Sequence, residues 1–150
     1  MRKYVGALAL VLLALTPALV AKKDEPLDQL IARANAANVD HQPDLFAEVA
    51  EREMNAVVDS FKANQPEEMR SNLEQVVTFC ERAQAAAVQS KKHVKRTEIR
   101  IRQLSHRLRD MKPDVEPEDA PVVQSAIDKL EHYRAELLRS MFNLKDDDRD

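Results

Sequence analysis

The densest chemistry in this 150-residue chain is cationic. Lys91, Lys92, Lys95, Arg96, Arg100, Arg102, Arg107, Arg109 and Lys112 crowd into 22 residues against Glu98 and Asp110 only, a net of +7. Segments 22–69 and 113–150 each sum to −6. A basic run of this kind suits phosphate, carboxylate polymer or anionic headgroups. No Phe, Tyr or Trp interleaves it to stack on bases, so nucleic acid is not an expected partner. The plain alternative is internal compensation, with the acidic last helix (Asp128, Glu131, Glu136) lying beside the basic one.

The remaining reactive residue types are scattered. His41, His93, His106 and His132 never stand three to five apart, so no helix presents a paired metal ligand. His93 and His106 are about 20 Å apart along a helix axis, too far to share an ion. The Asp-rich end lacks the glycine and glutamate of a calcium loop. Ser60, Ser71, Ser90, Ser105, Ser125 and Ser140 all fall in helical segments rather than on tight loops, and Ser105-His106 point about 100° apart on a helix. The one glycine, Gly6, leaves the rest of the chain without a phosphate-cradling or oxyanion turn. Cys80, the only cysteine, lies on an apolar stripe and reads as a small buried hydrophobe, with pairing to another molecule as the alternative. Neither a catalytic residue, a metal, a cofactor nor a small-molecule substrate is expected.

The elements that position these groups are helices. Abundant Ala, Glu, Gln, Leu and Arg favour helix, and few β-branched or aromatic residues are left for strands. Pro26, Pro43 and Pro66 make good first-turn residues, with Asp28, Asp44 and Glu67-Glu68 facing the positive end of the helix dipole. Phe46, Val49, Ala50, Met54, Val57 and Phe61 recur at 3–4 spacing. From Pro66 to Met111 there is no further proline and no glycine. Leu73, Cys80, Ala87, Val94, Ile101 and Leu108 fall on one heptad position; Val76, Ala83, Ser90, Thr97, Leu104 and Met111 fall on the other. Unbroken, this helix would be about 68 Å long. A last helix runs from about Ala120 to Phe142, and 146–150 read as a disordered acidic tail. The expected fold is all-α: an elongated antiparallel bundle over 22–145, of two stacked hairpins sharing the central helix 66–111.

The N-terminus reads as an address. Arg2 and Lys3 precede the uncharged Val5–Leu15, and Thr16-Pro17-Ala18-Leu19-Val20-Ala21 follows, the order of a cleavable signal peptide over 1–21. Cleavage after Ala21 is expected, or after Ala18; the alternative is an uncleaved membrane tether, short at 18 residues and interrupted by Pro17. The expected location is therefore the periplasm or beyond the cell. The short apolar region, the lack of a cysteine pair and the absence of any Asn-x-Ser/Thr sequon fit a bacterial source.

Val57-Val58-Asp59-Ser60-Phe61, then Asn64, Pro66, Met69, Leu73 and Val76, resemble one helix-turn-helix unit of the tetratricopeptide family over about 43–80. Asn64 stands at the place of the turn glycine and Met69 where a small alanine is usual. The resemblance implies helical-hairpin packing and a partner-binding surface. The expected function is accordingly a non-catalytic, exported interaction or scaffold protein that binds a protein partner or associates with itself. The alternative is an envelope-surface binder, in which Lys91, Lys92, Lys95, Arg96, Arg100, Arg102, Arg107 and Arg109 contact anionic lipid or cell-wall polymer.

Overall fold

The computed structural model describes residues 25–147, so the signal peptide expected over 1–21 and the last three residues of the acidic end lie outside the described residues. Among the described residues there are five α-helices and no strand: α1 (Leu27–Ala36), α2 (Gln42–Lys62), α3 (Pro66–Ser90), α4 (Val94–Met111) and α5 (Ala120–Asp147). A 3-10 turn, Lys112–Asp114, follows α4. None of the described helices is long and apolar enough to cross a membrane.

The proline starts at Pro43 and Pro66 are realised, each proline in the first turn with acid beside it. Between α2 and α3 the chain turns in three residues. Asn64 takes a left-handed conformation there, φ 55°, a region in which asparagine is the best tolerated residue after glycine.

The continuous helix over 66–111 is corrected. α3 ends at Ser90, Lys91 and His93 both adopt positive φ (56° and 58°), and α4 starts afresh at Val94. Ser90 turns its hydroxyl back to the Ala86 carbonyl at 2.7 Å and accepts the Lys92 N–H at 3.2 Å, which helps to end the helix. Two left-handed residues without glycine cost on the order of 1–3 kcal/mol each. Reversal offsets that by letting α4 pack against the core instead of running on alone into solvent. The heptad residues are buried regardless: eleven of the twelve are below the surface and only Ser90 is half-exposed. The repeat marked the buried faces of two helices and had no bearing on their continuity.

The hairpins therefore lie side by side, not stacked end to end. α3 runs antiparallel to α2, and α4 runs parallel to α2, with Arg96 meeting Asp44 and Arg107 meeting Asn55. α5 is antiparallel to α4, since Arg134 meets Glu98 while Lys112 meets Gln124. Around the bundle the order is α2, α3, α5, α4, with α1 laid on α2. One core runs through all five helices, from Leu30, Phe46 and Met54 through Val76 and Phe79 to Ile101, Leu108, Ile127 and Leu137. Val115, from the α4–α5 connection, plugs one end. α5 itself extends to Asp147, past the end expected near Phe142.

Candidate functional site

Three of the nine cations of the basic segment meet carboxylates, and those acids come mainly from α2. Arg100 grips Glu51 with two parallel bonds of 2.7 and 2.8 Å and donates a third to the Asp44 carbonyl at 2.9 Å. This bidentate geometry is the strong form of a charge pair, and Glu51 holds the guanidinium in its charged state. Arg96 meets the Asp44 carboxylate at 2.9 Å, and His93 Nδ1 stands 3.4 Å from the same oxygen. Arg107 donates to Asn55 at 2.9 Å. Among the described acids of the last helix only Glu131 pairs with a cation of the basic segment, Arg109 at 2.8 Å. Asp128 instead accepts from Gln124, and Glu136 pairs with Arg139. Compensation by Asp128 and Glu136 is thus corrected: α4 lies parallel to α2, an alignment that exists only because the long helix is broken.

Lys91, Lys92, Lys95 and Arg102 are exposed, and none has an ion-pair partner among the described residues. Lys95 and Arg102, seven apart, share the outward face of α4. Lys91 and Lys92 sit in the turn just before it. Of the eight expected contact residues, the structure leaves these four available.

Between α4 and α5 lies a more buried network. Arg134 donates twice to Glu98, at 3.0 and 2.8 Å, and once to Glu131 at 2.7 Å; Ser105 donates to Glu131 at 2.6 Å. Burial alone would push the Glu131 carboxyl up, but the Ser105 hydroxyl and the charges of Arg134 and Arg109 outweigh it, so its pKa is lowered. Glu53, nearly buried in α2, is pushed the other way by burial. Ser105 and His106 point apart, one fully buried and the other exposed. Ser60 and Ser90 donate to carbonyls one turn back in their own helices. Cys80 is completely buried, which pushes its thiol far above the usual range and away from thiolate chemistry. Among the described residues no group of three His, Cys, Asp or Glu side chains is placed to hold a metal ion.

The seam between α3 and α5 is different in kind. It stays open as a groove of about 750 Å³. Leu73, Val77, Val122, Ala126 and Tyr133 supply its apolar surface, while Glu67, Glu74 and Glu81 rise along the α3 wall at seven-residue spacing. Arg70 closes one end by pairing with Asp119 at 2.6 Å and Glu67 at 3.0 Å. At the other end burial pushes the Tyr133 hydroxyl up, and the charge of Glu81 adds to it. The recurrence of Glu67, Glu74 and Glu81 is visible in the sequence. Which helix would face it is not, because that depends on the reversal at 91–93. A second feature with no sequence signal is Arg82, whose guanidinium lies 4.2 Å from the Phe46 ring centre and donates to Asn35 at 2.5 Å, fastening α1 to the α2–α3 hairpin.

Compared with protein-family models, curated proteins and solved structures, the chain matches none.

Proposed function

We propose that the chain is an exported, non-catalytic interaction protein that accepts a partner segment along the α3–α5 groove. The observation that supports this reading is the groove itself. It extends from Glu67 to Glu81, about 21 Å at 1.5 Å per residue, which is the length of four turns of a docked helix. Apolar floor and acidic wall together suit a cationic amphipathic segment. The tetratricopeptide-like hairpin, with Asn64 left-handed at its turn, is in keeping with such a role. A photo-crosslinking residue at Ser125 should trap a discrete adduct in the envelope fraction, whereas one at Gln103, on the far side, should not. Val122→Arg should abolish the adduct. No adduct from Ser125 alongside a strictly monomeric protein would sink the proposal.

A second reading has its own support: Lys91, Lys92, Lys95 and Arg102 have no ion-pair partner among the described residues, while Arg96, Arg100 and Arg109 meet acids. An anionic envelope surface is the natural counter-charge. Cosedimentation with anionic material should then weaken with salt and on the double change Lys95→Glu, Arg102→Glu; salt-insensitive binding would count against it.

A further inference from the structure

Four large hydrophobic side chains are exposed among the described residues, and three of them gather at one end of the bundle: Val88, Leu138 and Phe142, at 37%, 37% and 63%. The cause is a mismatch of lengths. α5 has 28 residues and its antiparallel neighbour α4 has 18. Arg134 is level with Glu98. One turn further along α5, Leu138 is level with Val94, where α4 begins. Another turn on, Phe142 continues the same stripe past the start of α4. Val88, seven residues beyond the Glu81 that borders Tyr133 in the groove, brings α3 to the same level. Beside them runs the α3–α4 turn, with Lys91 and Lys92 in it and Lys95 in the first turn of α4, all three exposed and unpaired.

We infer that this end of the bundle docks on an anionic lipid bilayer, with Phe142 and Leu138 seated among the headgroups and Lys91, Lys92 and Lys95 against their phosphates. The inference rests on the anionic-surface reading above and narrows it, naming lipid as the surface and one end of the bundle as the contact. Apolar residues projecting from a basic rim match the two layers of such an interface. Lysines suit it better than arginines would, because diffuse headgroup charge asks for mobile point charges rather than a fixed fork. A second copy of the chain is the poorer occupant. Three side chains fall far short of the roughly 800 Å² per partner of a stable interface, and a two-fold contact would bring the lysines of both copies together. The sequence past Lys145 carries Asp146, Asp147, Asp148 and Asp150 with Arg149, a net charge of −3 that lowers the positive charge of the whole. Charge alone is therefore a weak anchor here, and the apolar overhang is needed with it.

The chain contains no tryptophan, so a single one reports cleanly on its surroundings. In the otherwise unchanged mature protein, Phe142→Trp should shift its emission to the blue and gain intensity on vesicles containing 30% phosphatidylglycerol, and should not respond to pure phosphatidylcholine. Val122→Trp, in the groove, should stay silent on both. Lys91→Ala with Lys92→Ala should weaken binding about 25-fold, about fivefold per lysine, and Phe142→Ser with Leu138→Ser by more than tenfold. Both pairs are exposed, and an unchanged thermal midpoint confirms that the fold is kept. If the serine pair and the Lys91→Ala, Lys92→Ala pair both bind like wild type while Arg102→Glu abolishes binding, the surface reading stands and the docking end is wrong. If no anionic vesicle binds, both fall. A dimer in light scattering that the serine pair dissolves would make a second copy the occupant and overturn the proposal.

Discussion

Two seams join the hairpins of this bundle, and they are built from the same kinds of residue with opposite results. At the α2–α4 seam, Arg96 and Arg100 reach across to Asp44 and Glu51, and Arg107 reaches Asn55. At the α3–α5 seam the acids Glu74 and Glu81 stand without an ion-pair partner among the described residues, as does Lys129 opposite them. What separates the two is the side chain available to span the gap. α4 offers long guanidinium forks that can bond two oxygens at once and lie flat on apolar neighbours. Past Arg70, which fastens Asp119 at one end, the groove walls carry Ser71, Thr78 and Ser125, too short to bridge, and Lys129, whose single ammonium makes no ion pair among the described residues. Acids become fasteners only where an arginine faces them. Elsewhere they leave a wall of unpaired charge along an open groove.

Breaking the closed seam should give the largest effect. Arg100 is four-fifths buried and its guanidinium makes three bonds, so Arg100→Ala leaves Glu51 and the Asp44 carbonyl without their donor. Charge-assisted bonds of this sort are worth about 2–3 kcal/mol to the fold when one partner is removed. For a domain of this size that lowers the melting midpoint by roughly 5–12 °C in a calorimetric scan. Arg100→Lys should recover only part of the loss, since an ammonium cannot make the parallel pair. Full recovery by lysine would mean that the fork geometry is irrelevant to closing the seam.

A somewhat smaller loss is expected within the second hairpin, where the rule that acids need a facing arginine is met by Glu131. Glu131→Gln weakens the contacts from Ser105, Arg109 and Arg134 and should cost about 1–2 kcal/mol at neutral pH. The pKa of Glu131 is lowered in the fold, so its contribution is present above the ordinary value of 4.5 and is lost as pH falls below it. Wild type and variant should therefore converge in acid, most visibly below pH 4.5. Glu53 has the opposite sign. Its pKa is raised by burial, so the fold gains from its protonation as pH drops from neutral toward 4.5, and Glu53→Gln should remove that gain. Denaturant midpoints across pH 3–7 for the two variants test both signs.

How much of this contrast the sequence carried can be argued from the same residues. Helix positions and their buried faces were legible, because proline starts and 3.5-residue spacing are local properties: Pro43 and Pro66 begin helices, and Leu73, Cys80, Val94 and Ile101 are all buried. The reversal was not. Lys91 and His93 are ordinary residues forced left-handed, and the rule that glycine or proline marks a turn passes over them. Their cost is accepted only because α4 then finds α2 and the core, a tertiary gain that no window of sequence measures. The site inherits this split. Eight cations were visible as a group, but which of them stay free depends on Asp44 and Glu51, some 50 residues away on a helix the chain was not expected to place there.

The open seam can be sharpened by supplying what it lacks. Ser125→Arg puts a long fork on the α5 wall opposite Glu74 and Glu81. The new pairs are partly exposed, so the gain is about 0.5–1 kcal/mol, read as a small rise in the urea midpoint. The more telling measurement is capture: if the groove takes a cationic segment, the same substitution should block it while the fold becomes firmer. Greater stability with undiminished capture would move the binding surface elsewhere.

The smallest effect should come from the cations that face no acid. Lys95→Ala combined with Arg102→Ala removes two exposed charges from the outward stripe of α4, where neither side chain has an ion-pair partner among the described residues. Alanine is the better helix former at both places, and the repulsion within a +7 segment is relieved. The stability should change by less than about 0.5 kcal/mol, in either direction. Set beside Arg100→Ala, on the same helix and of the same charge, that difference isolates the facing carboxylate as the cause. A loss comparable to Arg100→Ala would show that the outward cations also hold the bundle together, and they would then be unavailable to any anionic surface.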